Sequence, residues 1–301
     1  MSNFLIIGIS ITAGILVRKW KLLPSNTHLG INLWIIYMAM PAVSFKYLPH
    51  ITWSNDLILP IVAPIIVWWT SWLYAQFYAK SASLNKKTKG AFKMATGMSN
   101  TSFLGFPLVL AYFGEDYLST AVICDAMTFV VLSTFGITAA IRSAGKEDLS
   151  AGKLIKRVVT FPPFLGSVGA LTIPHYVNID SLSPLFDNLA VTIAPLALFS
   201  IGLQLTFNNW QSELKNISAG LLYKLILAPL IVLLIAVAFN INSNIAQVTV
   251  FEMAMPSLIT AGIIANKYKL NIKLSNLTIG IGIIISFAST AIWFQVINYF
   301  L

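Results

Sequence analysis

Charged residues are scarce in this sequence. They make up 10% of the 301 residues, while 57% of the residues are hydrophobic. A typical soluble domain carries roughly 25% charged residues, so this chain cannot cover a water-facing surface with polar groups. The composition excludes a soluble globular protein and predicts an integral membrane protein.

Residues that serve most enzymes and metal sites are also few. Cys124 is the only cysteine, which excludes a disulfide framework and a cysteine-rich metal site. The three histidines, His28, His50 and His175, are scattered without the spacing of metal ligands. Motifs of serine hydrolases, zinc proteases and phosphate-binding loops do not occur. We therefore expect no cofactor, no metal and no enzymatic activity.

Basic residues outnumber acidic ones, 19 to 10, and give a net charge of +9. In a soluble protein this excess would suggest nucleic acid, but in a membrane protein it marks cytoplasmic loops. Ten apolar stretches approach the ~20 residues needed to cross a bilayer. They lie at 3–17, 29–48, 57–79, 91–112, 118–141, 158–174, 184–205, 217–239, 246–266 and 275–299.

The loops between these predicted spans alternate in charge. Lysines and arginines follow spans 1, 3, 5, 7 and 9, whereas the other loops carry none. The loop after span 5 is the most basic, with Arg142, Lys146, Lys153, Lys156 and Arg157. The positive-inside rule then predicts that both termini lie on the outer side of the membrane. Because the basic residues are accounted for by cytoplasmic loops, we expect no nucleic-acid partner.

The two halves of the chain resemble each other. "AMPAVSF" (39–45) is similar to "IAPLALF" (193–199), and a shift of 156 residues places "YFGEDYLSTAVI" (112–123) over "YKLNIKLSNLTI" (268–279). With five spans in each half, the second half must be inverted, as in many secondary transporters. We therefore predict an all-α integral membrane fold of ten transmembrane helices, with a first repeat at 1–141, a cytoplasmic linker at 142–157 and an inverted repeat at 158–301.

The fourth predicted span contains a poor helix-forming stretch, "SNTSFLGFPLVL" (99–110). Pro107 removes a backbone donor and disturbs the carbonyl one turn earlier, and Ser99, Asn100 and Thr101 can satisfy freed groups or a substrate. The 156-residue shift places this stretch over "MPSLITAGIIAN" (255–266) in the ninth span. For either stretch alone, a proline kink healed by hydroxyl groups is the alternative.

Broken helices in lipid occur only where protein or a watery cavity surrounds the freed backbone. In the ninth span, Pro256 leads into Ser257 and Thr260. We therefore predict that the fourth and ninth helices are broken and cross near the membrane centre. Their half-helix N-termini would then face an anion.

Three charged residues lie inside predicted spans, namely Asp125, Lys224 and Glu252. Each such charge costs roughly 2.5–3.5 kcal/mol at a helix centre. Burial disfavours the charged form of a carboxylate, so either acid could carry a proton during transport. The alternatives are hydrogen-bonded structural acids and, for Lys224, a buried ion pair or a side chain that reaches the interface.

Four stretches together resemble one known family. They are "GINLWIIYMAMPAVSF", "SNTSFLGFPLVLAYFG", "YKLILAPLIVLL" and "AMPSLITAGIIANKYKL". In this order they resemble the auxin efflux carrier family, which includes plant PIN auxin carriers and bacterial permeases for malate, malonate and related acids. The large cytoplasmic loop of long plant members is absent, so the chain resembles the compact bacterial form.

This resemblance implies a fold related to sodium/proton antiporters and bile-acid carriers. It implies a scaffold of helices 1, 2, 6 and 7, a transport domain of helices 3–5 and 8–10, and a homodimer through the scaffold. It also implies that Asn100 contacts a substrate carboxylate at one crossover, that Pro256 marks the other, and that Lys224 is the family's lysine. Ser99 stands where the plant motif has proline, which leaves the substrate open.

We therefore expect a secondary transporter in the cytoplasmic (inner) membrane that moves a small organic anion, auxin-like or a mono- or dicarboxylate such as malate, by alternating access. Coupling to protons, sodium or the membrane potential is open. The residues expected around the substrate are Ser99, Asn100, Thr101, Pro107, Pro256, Ser257 and Thr260, and those expected to couple transport are Asp125, Lys224 and Glu252. The alternatives are a cation/proton antiporter or bile-acid-type sodium symporter of the same fold, and a membrane-embedded anion sensor.

Overall fold

The computed structural model describes residues 2–51, 53–145, 150–205 and 210–301, so that Lys146 of the predicted linker lies outside the described residues. Within these ranges the regular secondary structure consists of helices. The single β-type contact among them is an isolated antiparallel bridge between Ser99 and Ser257. The prediction of an all-α protein is confirmed.

Several helices are long and apolar enough to cross a membrane. Among the described residues there are six such stretches: Thr27–His50, Asn55–Ser81, Glu115–Ser143, Asp180–Gln204, Trp210–Ala238 and Ile272–Phe300. A bent pair, Ala151–Val159 with Pro162–His175, meets the same criteria with a 63° bend, and Thr101–Tyr112 is a shorter apolar helix. A multi-pass membrane protein is confirmed, while the ten-helix inverted repeat stays a prediction.

The first of two compact units comprises Met1–Ser54, Ser102–Ala126 and Val159–Leu205. Close packing of two helices inside it depends on glycine. A Cβ atom at Gly14 would lie 2.9 Å from the Cα atom of Gly202 and against the carbonyl oxygen of Phe199. Its helices are α1 (Ser2–Lys19), α2 (Thr27–Trp34), α3 (Met40–Tyr47), α6 (Phe106–Tyr112), most of α7 (Leu118–Val131), α10 (Pro162–Thr172), α11 (Ser183–Ala190) and α12 (Ile193–Gln204).

Lys46 joins three elements of this first unit. Its Nζ atom lies 2.5 Å from Glu115 Oε1 and 3.0 Å from Asp187 Oδ1. The Tyr47 hydroxyl also donates a hydrogen bond to Glu115 Oε1, at 2.8 Å. Both carboxylates are more than half exposed, so this cluster lies at the surface of the unit.

The second unit comprises Asn55–Thr101, Met127–Val158 and Thr206–Leu301. Its buried core includes Trp68, Met94 and Leu258, which belong to one hydrophobic cluster. Gly97 ends α5 against the Trp68 ring, where a Cβ atom would not fit. Its helices are α4 (Ile58–Ser81), α5 (Lys86–Gly97), α8 (Ile137–Ser143), α9 (Ala151–Val159), α13 (Leu214–Leu222), α14 (Ala228–Ala238), α15 (Asn244–Met253), α16 (Ile259–Lys267) and α17 (Ile272–Phe300).

Three π-helical turns each end shortly before a proline. Ile35–Ala39 precedes Pro41, Thr101–Gly105 precedes Pro107, and Tyr223–Leu227 precedes Pro229. Proline lacks an N–H and clashes with the carbonyl four residues earlier in a regular α-helix. The wider i→i+5 turn relieves that clash without ending the helix.

This device corrects the predicted break in the fourth span. Pro107 is expected to interrupt the helix, but the helix Thr101–Tyr112 continues through it, with the π-helical turn Thr101–Gly105 directly before α6. The interruption lies earlier, because α5 ends at Gly97 and Met98 is extended. Within the expected linker 142–157, the helix α9 begins at Ala151, and the linker itself stays a prediction.

Candidate functional site

The candidate site lies in the second unit, where two helices are interrupted. After α5, Met98 has the extended torsions φ −125° and ψ 127°. After α15, the chain resumes as α16 only at Ile259, and the preceding Leu258 is extended, with φ −63° and ψ 131°. Both interruptions expected from the sequence are therefore present.

The two interrupted segments pair with each other. The Asn100 N–H donates to the Pro256 carbonyl at 2.9 Å, and the Leu258 N–H donates to the Met98 carbonyl at 3.1 Å. Each break thus supplies backbone partners for the other. This reciprocal pairing explains how non-helical backbone is tolerated in the interior of a membrane protein, where water cannot satisfy it. We call residues 98–100 and 256–258 the paired segments.

Ser99 and Ser257 stand directly opposite each other in the paired segments. The hydrogen bonds on either side make them a non-hydrogen-bonded antiparallel pair, in which the side chains are closest and share one face. The Ser99 hydroxyl donates to Met253 Sδ at 3.9 Å. In the described part of the chain, the fully buried Ser257 hydroxyl has no hydrogen-bond partner.

Asn100 is fully buried, yet neither Oδ1 nor Nδ2 of its amide is hydrogen-bonded within the described residues. An unsatisfied buried polar group costs about 1–3 kcal/mol, so such a group calls for an explanation. Another buried asparagine, Asn32 of the first unit, accepts a hydrogen bond from the Ser200 hydroxyl at 2.6 Å. The Asn100 amide is thus available to a ligand in a way that the Asn32 amide is not.

The start of α16 adjoins the paired segments. Leu258 provides no side-chain hydrogen bond to cap this helix, and Thr260 lies in its first turn. The first N–H groups of a helix and the positive end of its dipole favour an anion. The helix N-terminus, the Asn100 amide and the Ser257 hydroxyl together offer hydrogen-bond donors in one region.

A buried lysine is hydrogen-bonded to the end of α15, the helix that precedes residues 256–258 of the paired segments. Lys224 is fully buried in the π-helical turn Tyr223–Leu227, and its Nζ atom donates to the Met253 carbonyl at 2.8 Å. A cation at the C-terminal carbonyls of a helix is favoured by the helix dipole. Glu252, also fully buried, precedes Met253 in the last turn of α15.

Met253 is a site residue that the sequence analysis missed. Its carbonyl accepts from Lys224, and its sulfur accepts from Ser99. An apolar residue inside an apolar span gives no chemical signal. Only its position, next to Glu252 and three residues before Pro256, could have drawn attention to it.

The structure brings together eight of the ten predicted site residues in the second unit, and two belong to the first. Those in the second unit are Ser99, Asn100, Thr101, Lys224, Glu252, Pro256, Ser257 and Thr260. In the first unit, Pro107 starts α6, and Asp125 is buried beside a cavity of about 10 Å³ that Ser44 and Ser167 also line. Such a cavity is just large enough for one water molecule.

Comparison with known proteins gives the class of protein that contains this site. A family model described as "Membrane transport protein" matches residues 1–294. The chain therefore belongs to this family of membrane transporters, the auxin efflux carrier family that its motifs resemble.

Three relatives extend over most of the chain. An uncharacterized transporter of Methanothermobacter thermautotrophicus is 24% identical over 93% of this chain and 92% of its own length. An uncharacterized transporter of Methanocaldococcus jannaschii is 24% identical over 97% of both chains. A protein of Rhizobium meliloti named as a proposed malonate transporter is 26% identical over 88% of this chain and 86% of its own.

Proposed function

We propose that this protein is a secondary transporter that carries a small organic carboxylate across the cytoplasmic membrane. The observation that carries the proposal is the fully buried Asn100 amide, which makes no hydrogen bond with the residues that the structure describes. Membership of a transporter family supports the transport step. The relative named for malonate supports a carboxylate as the substrate class.

The chemistry of the paired segments suits a carboxylate better than a cation. The Asn100 Nδ2 atom offers two N–H donors, the Ser257 hydroxyl offers one, and the start of α16 offers backbone N–H groups. Asn100 Oδ1 is left to accept from a hydroxyl or a protonated carboxyl group of the substrate. We propose Asn100 and Ser257 as direct ligands, with Ser99, Thr101, Pro256 and Thr260 shaping the site around them.

We propose that Lys224 and Glu252 couple substrate binding to a proton. In this proposal, their opposite charges balance each other while no substrate is bound. A carboxylate bound at Asn100 adds a negative charge to this buried region, and a proton taken up with it restores the balance. Asp125, buried in the first unit, is the second candidate for a proton carrier.

The transport step that we propose is alternating access in the ten-helix inverted-repeat fold. In this proposal, predicted spans 3–5 and 8–10 carry the substrate past a scaffold of spans 1, 2, 6 and 7, with both termini outside and a homodimer formed through the scaffold. The interrupted helices support this proposal, because transporters of such folds bind substrate at breaks in corresponding helices.

A binding titration tests the site. Purified protein in detergent is titrated with malonate, malate, acetate and indole-3-acetate, and we expect saturable binding of at least one of them. Loss of one hydrogen bond to a charged group, worth 1.5–3 kcal/mol, should raise Kd about 10- to 150-fold in Asn100→Ala and in Ser257→Ala.

Asn32→Ala and Ser200→Ala are the matched controls, because their side chains bond to each other in the first unit. We expect both controls to keep the Kd of the unaltered protein. Equal affinities in Asn100→Ala and the unaltered protein would contradict the proposed site.

A further inference from the structure

A second cavity of the second unit has no part in the proposed substrate site. Its volume is about 590 Å³, and it lies among α4, α5 and α8, with Leu154 of α9 at its edge. Its lining combines aromatic and basic side chains. These are Trp68, Trp69, Trp72 and Phe135 on the aromatic side, and Lys86, Lys89, Lys93 and Arg142 on the basic side.

The basic side is built largely by one helix face. Lys86, Lys89 and Lys93 stand at positions i, i+3 and i+7 of α5, which places them on the same face. Arg142 joins them from the last turn of α8. None of the described residues that line this cavity is acidic. The described lining of the cavity therefore combines four basic side chains with no carboxylate.

Lys93 lies deepest among these cations. Its side chain is only 9% exposed, and its Nζ atom lies 5.3 Å from the centre of the Trp72 ring. Lys89 lies about one helical turn before it on α5. Both salt bridges found within the described residues involve Lys46, so no described carboxylate lies within ion-pair distance of Lys93. Two neighbouring buried or half-buried cations favour an anionic ligand between them.

The aromatic side continues onto the outer surface of the unit. Trp69 is 46% exposed and Phe135 is 42% exposed, with ring centres 5.5 Å apart. Along α4, Trp69, Leu73 and Phe77 stand at i, i+4 and i+8 and are all exposed. They belong to a stretch that is long and apolar enough to cross a membrane. This exposed apolar stripe is suited to the hydrocarbon of a bilayer, and Trp69 connects it to the cavity wall.

The adjoining helix α9 has the composition of a helix that lies in a membrane interface. Over its nine residues it alternates basic and apolar groups, with Lys153, Lys156 and Arg157 among Leu154, Ile155 and Val158. Basic amphipathic helices lie at the level of the lipid headgroups and are attracted to anionic lipids. Leu154 places this helix at the edge of the cavity.

We propose that this cavity binds the phosphate headgroup of an anionic phospholipid, with Lys89, Lys93 and Arg142 around the phosphate. The acyl chains follow the stripe of Trp69, Leu73 and Phe77. Basic pockets between transmembrane helices are suited to such headgroups, and tryptophan is enriched at this depth. The lipid would hold α5, the helix that ends at Gly97 immediately before the paired segments.

Native mass spectrometry of the purified protein tests this site. The probes are dioleoyl phosphatidylglycerol, dioleoyl phosphatidylcholine and inorganic phosphate, and the readout is the apparent Kd of each. We expect phosphatidylglycerol to bind more tightly than the other two. In the double variant Lys89→Gln/Arg142→Gln its Kd should rise about 25-fold, a factor of about five for each removed charge.

Two further double variants keep the test decisive. Lys80→Gln/Lys87→Gln removes two exposed charges that do not line the cavity. Its Kd for phosphatidylglycerol should rise less than that of the cavity variant Lys89→Gln/Arg142→Gln. Lys89→Arg/Arg142→Lys keeps both positive charges and should still bind phosphatidylglycerol. Binding by this variant would show that the weaker binding of Lys89→Gln/Arg142→Gln comes from the lost charges and not from misfolding. Equal affinity for the two lipids, or equal losses in the cavity and control variants, would overturn the proposal. Binding of inorganic phosphate as tight as that of phosphatidylglycerol would reassign the cavity to a soluble anion.

Discussion

Replacing Asn100 by leucine should stabilise the substrate-free protein. The Asn100 amide is fully buried and makes no hydrogen bond with any described residue, so its burial costs about 1–3 kcal/mol. Leucine has a similar size and no polar atoms. We expect Asn100→Leu to raise the free energy of unfolding by about 1–3 kcal/mol, while substrate binding is lost. This opposition between stability and function is typical of binding sites.

Asn32→Leu is the matched comparison. Asn32 is also a buried asparagine, but its Oδ1 atom accepts a hydrogen bond from Ser200. The same substitution there leaves the Ser200 hydroxyl without this partner and should lower the free energy of unfolding by about 1–3 kcal/mol. The two substitutions are therefore expected to shift stability in opposite directions.

Denaturant unfolding of both variants in detergent, followed by circular dichroism, measures this difference. The shift of the unfolding midpoint by malonate gives the binding readout, because a ligand stabilises only a protein that binds it. A destabilised Asn100→Leu variant that keeps its response to malonate would contradict this prediction, because Asn100 would then have a structural role.

Three further changes test the packing and the charges. Lys224→Met leaves the Met253 carbonyl without its donor and should lower the free energy of unfolding by about 1–3 kcal/mol. A variant as stable as the unaltered protein in denaturant titrations would contradict this. Gly202→Ala should lower the free energy of unfolding by about 1–3 kcal/mol, because its Cβ would press on the Ile11 carbonyl. At Gly30 a Cβ atom would meet open space, so Gly30→Ala should leave the free energy of unfolding unchanged or raise it in the same assay. Lys46→Gln should change the free energy of unfolding by less than about 1 kcal/mol, because its partners Glu115 and Asp187 are exposed. A larger loss of stability would contradict this and indicate an ion pair shielded from water.

The sequence was sufficient to predict the helical membrane protein, its family and the two interrupted helices. Apolar length, loop charge and the paired positions of Asn100 and Pro256 are visible without a structure. The position of the first break was not visible in the sequence, because the break was expected at Pro107. The helix Thr101–Tyr112 runs through Pro107 after a π-helical turn, so proline does not cause the break. The break lies at Met98–Asn100, where the chain pairs with Pro256–Leu258.

Long-range partners were also beyond the sequence. The bond from Lys224 to the Met253 carbonyl joins residues 29 positions apart, and no local pattern specifies it. The cavity of α4, α5 and α8 combines lysines that the sequence presents only as a basic loop with tryptophans that it presents only as part of an apolar span. The cavity forms only when these helices pack together, and the sequence of each helix alone does not indicate a ligand-binding site.

Uptake into proteoliposomes shows whether the protein transports a carboxylate through the site at Asn100. Vesicles containing the purified protein are loaded with unlabelled malonate and exposed to labelled malonate, with and without an imposed pH gradient, and other carboxylates are tested in the same way. The account predicts saturable exchange of a carboxylate that responds to the pH gradient, is lost in Asn100→Ala and is kept in Asn32→Ala. Saturable binding without any flux would contradict transport and indicate an anion sensor, and unimpaired flux in Asn100→Ala would contradict the proposed site.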